Sequence, residues 1–436
     1  VFIRMRSNKK FEGMNDMIHL LRLEIMKFKR SKFPFVLLSL VLIILGSYFF
    51  FIDKKEMSIE RVKEIVQSNY DMNKTGYEET KAKIEATEGR ISDQLQREFT
   101  MYERLYNSSL IMYKGINDEN WSLYLQGEII DNQDYEKEKI KELEFVAKSY
   151  TWPTPFTILS GMDRLRWMEE RNIRPIFPTH EFSWRSIYDE EFSDPVFEEM
   201  AIKEEDRHSS SGFYFTYEAL RYGFSIFGIV FFIFLFGDIL TREGFGKNGP
   251  IQMIRTQPIR RWKFWASKGV TVIGGSLLIM IVIMLIGIGL GTIFNRLGDW
   301  DYPILIYGPE RTYSFLPLVV FIGKALGLFL LMLGLGFSLL FLFSVLTNRA
   351  ITAIGLTLVV LFGGQILAEQ ETLLTWSHWL PFHYFDVYAI VNGEYAILQN
   401  NNLYTYNNAI LSLSVAIAIV LLITLAVGKL RKGVIA

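Results

Sequence analysis

Residues 34–52 read PFVLLSLVLIILGSYFFFI, a run of 19 residues without a charge, set between Lys32 and Asp53. At ~1.5 Å rise per residue, a helix of that length covers roughly the hydrocarbon thickness of a bilayer, so the run predicts a first membrane-spanning helix. Five further apolar runs follow, at about 222–240, 270–294, 316–346, 350–367 and 409–427. Together they predict an all-α polytopic membrane protein with six transmembrane helices.

Charge separates what lies between the first two runs from the rest. The chain has 436 residues and a formal net charge of −1, from 46 Lys plus Arg against 47 Asp plus Glu. Residues 53–212 hold 34 acidic and 22 basic side chains; the remainder holds 13 acidic and 24 basic. A polar domain is therefore inserted into a membrane protein, a division that argues against a soluble globular enzyme. The absence of cysteine excludes disulfides, thiolate metal sites and Cys nucleophiles. A sizeable outside domain without disulfides suits a bacterial surface.

Lys and Arg in short flanks set the direction of insertion. The segment before the first span carries nine, the loop after the second seven, the turn after the fourth Arg349, and the tail Lys429, Arg431 and Lys432. With six spans, 20 of the 24 basic residues outside the polar domain fall on one side. The expected layout is a cytoplasmic N-terminus at 1–33, a first span at 34–52, an extracellular domain at 53–212 and a five-helix membrane region at 213–436. Both termini then face the cytoplasm of a bacterial cell membrane. Residue 1 is Val, and Met14 or Met17 is a candidate start; no secretory signal is expected, because the first apolar run is too long for an h-region and lacks a small-residue cleavage site.

Between Met14 and Lys32, apolar residues Met17, Leu20, Leu21, Ile25 and Phe28 recur at helical spacing among Arg22, Lys27, Lys29 and Arg30. This predicts an amphipathic helix in the cytoplasmic interface, the alternative being an unstructured basic flank. The inserted domain reads as mostly helical, with Ile91, Leu95, Phe99, Tyr102 and Tyr106 on one stripe and a charged helix candidate at 135–150. Trp152-Pro153-Thr154-Pro155 breaks that pattern. The aromatic stretch beyond it, with Trp167 and Trp184, serves as a domain core or as a ligand surface, and Ser209-Ser210-Ser211-Gly212 reads as a hinge.

Catalytic constellations are missing. The five histidines, His19, His180, His208, His378 and His383, form no pair at metal-ligand spacing, and no set of catalytic residues is assigned. Asp, Glu, Lys, Arg and His are absent from the interiors of five spans, which disfavours proton coupling. Lys324 is the exception; it either snorkels toward the headgroups or faces a substrate route. The chain has no G-x-x-x-x-G-K-[ST], so ATP and Mg would have to be held by a separate subunit, and this chain is expected to bind no cofactor or metal itself.

The loop after the second span holds Glu243, Gly249, Ile254, Thr256, Pro258, Ile259, Arg260 and Arg261, and closes at Lys268-Gly269. It either forms a short helix that enters a partner's groove or merely connects two spans. In these residues, in their order and in the layout of one span, a large outer loop and five spans, the chain resembles the transmembrane permease subunit of type-2 ABC exporters. Ile254 stands where that family commonly has Leu. Residues 21–32, with Leu21, Glu24, Lys27 and Arg30, are similar to the family's elbow helix.

The resemblance covers the membrane part and not the interior of the inserted domain. It implies that the elbow and the coupling loop 241–268 meet a cytosolic ABC ATPase subunit, present in two copies. It also implies a second permease subunit, identical or similar, surrounding lipid and no nucleic acid as partners. The segment 368–408 would supply re-entrant gate helices. The implied function is ATP-driven export of an amphipathic, lipid-like or peptide substrate by alternating access. The competing expectation is a non-pumping polytopic surface protein, resembling phage-infection or secretion accessory proteins, whose outer domain binds a partner.

Overall fold

In the computed structural model the described residues are 20–430 apart from 23, 27, 30, 88–90, 147–149, 181–182, 206, 242–260, 348 and 371–375; side chains at 134–146, 200, 203–205, 261–262, 264, 369 and 430 are likewise left aside. The chain divides into two compact units. One comprises residues up to Tyr48, Thr216–Leu290 and Val320 onward; the other comprises Phe49–Phe215 with Gly291–Val319.

The first unit is built from apolar helices. Helix α1 (Phe33–Lys55) begins in it. The inserted region supplies α2 (Ile59–Glu85), α3 (Asp93–Asn117), α4 (Trp121–Val146), α5 (Pro155–Glu170) and α6 (Pro195–Glu205). The chain then forms α7 (Gly212–Gly223), α8 (Ile226–Thr241) and α9 (Arg261–Phe294). After a hairpin come α10 (Leu318–Leu346), α11 (Ala350–Gln370), two short helices α12 (Val387–Val391) and α13 (Glu394–Leu398), and α14 (Tyr406–Leu430).

Among the described residues five helices are long and apolar enough to cross a membrane, and six spans result if α7 and α8, bent by 79°, count as one. The protein is thus a multi-pass helical membrane protein in its broad class. The run at 222–240 reads as one span. It instead breaks at Phe224-Ser225, where Ser225 Oγ donates to the Tyr222 carbonyl at 2.8 Å. Helix α10 is the most enclosed of the spans, with Phe321, Leu328, Met332, Leu333 and Leu340 fully buried.

The second unit is a polar helical layer over a compact aromatic core. Ser58, Ser92 and Thr154 cap the first turns of α2, α3 and α5 by accepting a backbone N–H, which satisfies donors that have no partner within the helix. Of the stripe read from Ile91, Leu95, Phe99, Tyr102 and Tyr106 lie on α3, whereas Ile91 precedes its start at Asp93. Its face meets α2 through stacked rings, Tyr70 with Tyr113 and Tyr77 with Tyr106, each at 5.0 Å between centroids.

Trp184 is core rather than surface, at 1 % exposure. Its ring lies where a Cβ on Gly161 of α5 would come within 2.4 Å, so only glycine permits this approach. The carboxylate of buried Asp189 accepts from Thr154 N, Thr157 Oγ1 and Ser186 N at 2.9, 2.5 and 2.6 Å, which ties the aromatic stretch to the start of α5.

Two findings differ from the sequence reading. Residues 303–317 form an antiparallel hairpin, β1 (Pro303–Tyr307) paired with β2 (Tyr313–Pro317), a departure from an all-helical chain. The hairpin and its flanks belong to the polar unit. Tyr313 Oη donates to Asp163 at 2.7 Å, and Phe156 stacks on Tyr307 at 5.6 Å.

The serine run 209–211 is no hinge. Its residues are buried, Ser210 donates through N and Oγ to Glu56, each at 2.6 Å, and Asn295 Nδ2 donates to both Glu56 and Ser210 at 2.8 Å. Small polar side chains there allow three chain segments to meet around one carboxylate.

Candidate functional site

The residues flanking the loop 242–260 converge on one buried polar junction in the membrane unit. Helix α8 is described as far as Thr241, and carbonyls of its last turn accept from side chains of other helices. Lys268, two turns into α9, donates from Nζ to the carbonyl of Ile239, and Ser344 of α10 donates from Oγ to that of Leu240 at 3.2 Å.

The countercharge comes from the N-terminal segment. Described residues between 20 and 29 are helical. Leu20, Glu24 and Phe28, spaced by four, share a face. Leu20 and Glu24 are buried, and the Phe28 ring stacks on Phe236 of α8 at 5.1 Å. Glu24 Oε1 lies 3.8 Å from Lys268 Nζ, with the side chains 3 % and 1 % exposed. Two charges removed from water in this way hold only as a pair with further hydrogen bonds. The face opposite the pair presents Ile25 and Met26, 47 % and 48 % exposed, which suits contact with lipid.

Of the elbow residues singled out in the sequence, Glu24 is thus placed in the junction and Leu21 is half-buried beside it. Lys27 and Arg30 lie outside the described residues. So do Glu243, Gly249, Ile254, Thr256, Pro258, Ile259 and Arg260 of the loop, and the side chain of Arg261, whose backbone begins α9. Lys324 is exposed on α10. Its ammonium stands 5.5 Å from the centre of the Tyr406 ring, and Tyr406 Oη donates to its carbonyl at 3.3 Å. No described acidic residue joins it there.

The segment expected to act as a gate contains a polar cluster that spacing did not reveal. His383 Nδ1 lies 2.9 Å from Tyr395 Oη and Nε2 3.5 Å from Tyr404 Oη; Tyr404 Oη also pairs with Ser377 Oγ at 2.8 Å. Burial lowers the His383 imidazole to about 4, which keeps it neutral as a hydrogen-bonding strut. Asp386 instead caps α12 by accepting from Ala389 N at 3.1 Å. The pair His383 and Asp386 therefore has separate structural duties, and no group of three or more metal-ligating side chains exists among the described residues. Phe382 lies against Gly364 of α11, where a Cβ would approach its ring to 2.6 Å.

The membrane unit also holds an apolar cavity of about 530 Å³, lined by Leu45 and Tyr48 of α1, Phe224 and Phe227 at the bend, Met280 of α9 and Phe329 of α10. No family model, curated protein or solved structure matches this chain.

Proposed function

We propose that the chain is the permease subunit of an ATP-driven type-2 ABC exporter in a bacterial cell membrane, with six spans, both termini inside and the polar unit outside. The observation that supports this most directly is the Glu24–Lys268–Ile239 junction. It staples together the elbow segment, the end of α8 and the start of α9, the two helices between which the 242–260 loop is strung. A push on that loop by a cytosolic ATPase would reach both helices and the elbow through one rigid, desolvated contact, as a coupling element requires.

The apolar cavity supports an amphipathic or lipid-like substrate, since its lining offers rings and aliphatic groups with few polar partners. Two such chains, or this chain and a similar one, would form the pathway, and two ATPase copies would supply ATP and Mg.

Co-purification from native membranes tests the reading. A stoichiometric ATPase, lost on Pro258→Ala or Arg261→Glu, is expected. Retention of the ATPase by both variants would reject the assigned contact surface. Its absence from the wild-type preparation would favour a non-pumping surface protein whose polar unit is the working part.

A further inference from the structure

The polar unit contains a cavity of about 530 Å³ that the exporter reading does not use. Helix α2 supplies Arg61, Val62 and Val66, α3 supplies Met112, α4 supplies Tyr124, Glu128 and Asp131, and residues 177–180 close the remaining side. Its volume falls in the range of small-molecule sites, ~300–1,000 Å³. The chemistry of its wall is divided. Buried Glu128 and part-buried Asp131, one turn apart on α4, face it; Lys55 and Arg61 on its rim are exposed, and His180 stands near Glu128.

Glu128 is only 7 % exposed. Its Oε1 accepts from Tyr124 Oη and Thr179 Oγ1, each at 2.6 Å, while Oε2 accepts from no described residue. Asp131 is anchored by Ser108 Oγ at 3.0 Å. Burial holds both carboxyls above the usual carboxylate range. A positively charged group beside them would remove that penalty. Val62, Val66, Met112 and the rings of Tyr124 and Phe177 supply apolar wall, beside polar Asn69, Ser109 and Thr179. The Tyr124 and Phe177 rings meet edge to face at 5.6 Å, a surface that also favours an ammonium group.

A bare polycation would be repelled by Lys55 and Arg61, and an anion by Glu128 and Asp131. A ligand with both charges and an apolar body matches the whole cavity. We propose that this cavity binds a small zwitterion, an amino acid or short peptide, with its ammonium group at Glu128 and Asp131 and its carboxylate toward Arg61 and Lys55. This inference is independent of whether the chain belongs to a pump.

The test uses the full-length protein in lipid nanodiscs. A set of dipeptides with varied side chains is screened by ligand-observed NMR, and the best is titrated by calorimetry beside its N-acetylated and C-amidated forms. Acetylation removes the ammonium and is expected to weaken binding by about tenfold or more, amidation by several-fold, as charge-assisted hydrogen bonds are lost. Glu128→Gln, which keeps an acceptor for Tyr124 and Thr179, is expected to erase the difference between free and acetylated peptide. Arg61→Glu, an exposed position that leaves the core intact, is expected to erase the preference for the free carboxylate. It keeps the test decisive if Glu128→Gln fails to fold. No binding by any dipeptide up to about 10 mM, equal binding of free and acetylated forms, or unchanged discrimination in both variants would overturn the proposal.

Discussion

Replacing Lys268 by Met isolates the energetics of the membrane-unit junction. Met is an unbranched chain one atom shorter, so the change removes the charge and the hydrogen bond to Ile239 while filling much the same volume. At 3.8 Å the direct attraction between Glu24 and Lys268 is ~4 kcal/mol for an effective dielectric constant near 20. Loss of one partner strands the other away from water, for which ~3–5 kcal/mol is typical of a buried pair. Lys268→Met and Glu24→Gln are each expected to cost about 3–4 kcal/mol. The double variant, which strands no charge, should cost far less than their sum, leaving a coupling energy of roughly 2–4 kcal/mol. Reversible unfolding of the four proteins in mixed detergent and dodecyl sulfate micelles measures the cycle. Single costs that add in the double variant to within about 0.5 kcal/mol would show that the two side chains do not act on each other, and would remove the coupling argument built on them.

Three further predictions concern other sites. Asp189→Ala strands three buried donors and is expected to destabilise the polar unit by roughly 3–5 kcal/mol, with Asp189→Asn costing less because one acceptor oxygen remains; thermal melts of the purified protein would show it. Gly364→Leu forces Phe382 aside and should cost about 1–3 kcal/mol, partly recovered in a Gly364→Leu/Phe382→Ala pair, and full stability in the single variant would contradict the packing. His383 is held neutral, with its folded pKa at about 4 below its unfolded 6.5, so the stability it confers is present above pH 6.5 and is lost as pH falls toward 4. The thermal midpoint should therefore drop across that window in wild type, and a His383→Gln variant should drop less; parallel curves would refute the assignment.

Much of the membrane architecture was legible in composition, because a bilayer imposes its demands residue by residue. A run such as 34–52 must be apolar along its whole length, and no distant partner is needed to recognise it. The same locality made the break at Trp152-Pro153 readable. The hairpin 303–317 was not, since its strands are five residues long and are stabilised by α5 of the same unit, with Tyr313 bonded to Asp163 150 positions away in the chain.

Glu24 and Lys268 had each been picked out by local pattern, one in an amphipathic helix and one at the close of a basic loop. Spacing could show that each lies on a particular element, yet nothing in it pairs residues 24 and 268. Their meeting, like that of Glu56 with Ser210 and Asn295, or of Glu128 with Thr179, is a long-range contact. Such contacts arise when burial leaves a polar group few partners within reach. By itself the sequence determined which segments the bilayer would accept and where the charge would lie, since transfer from water depends on each side chain alone. The tertiary structure decided which charges are buried together and which cavities they line, because desolvation acts on a group only after the fold has enclosed it.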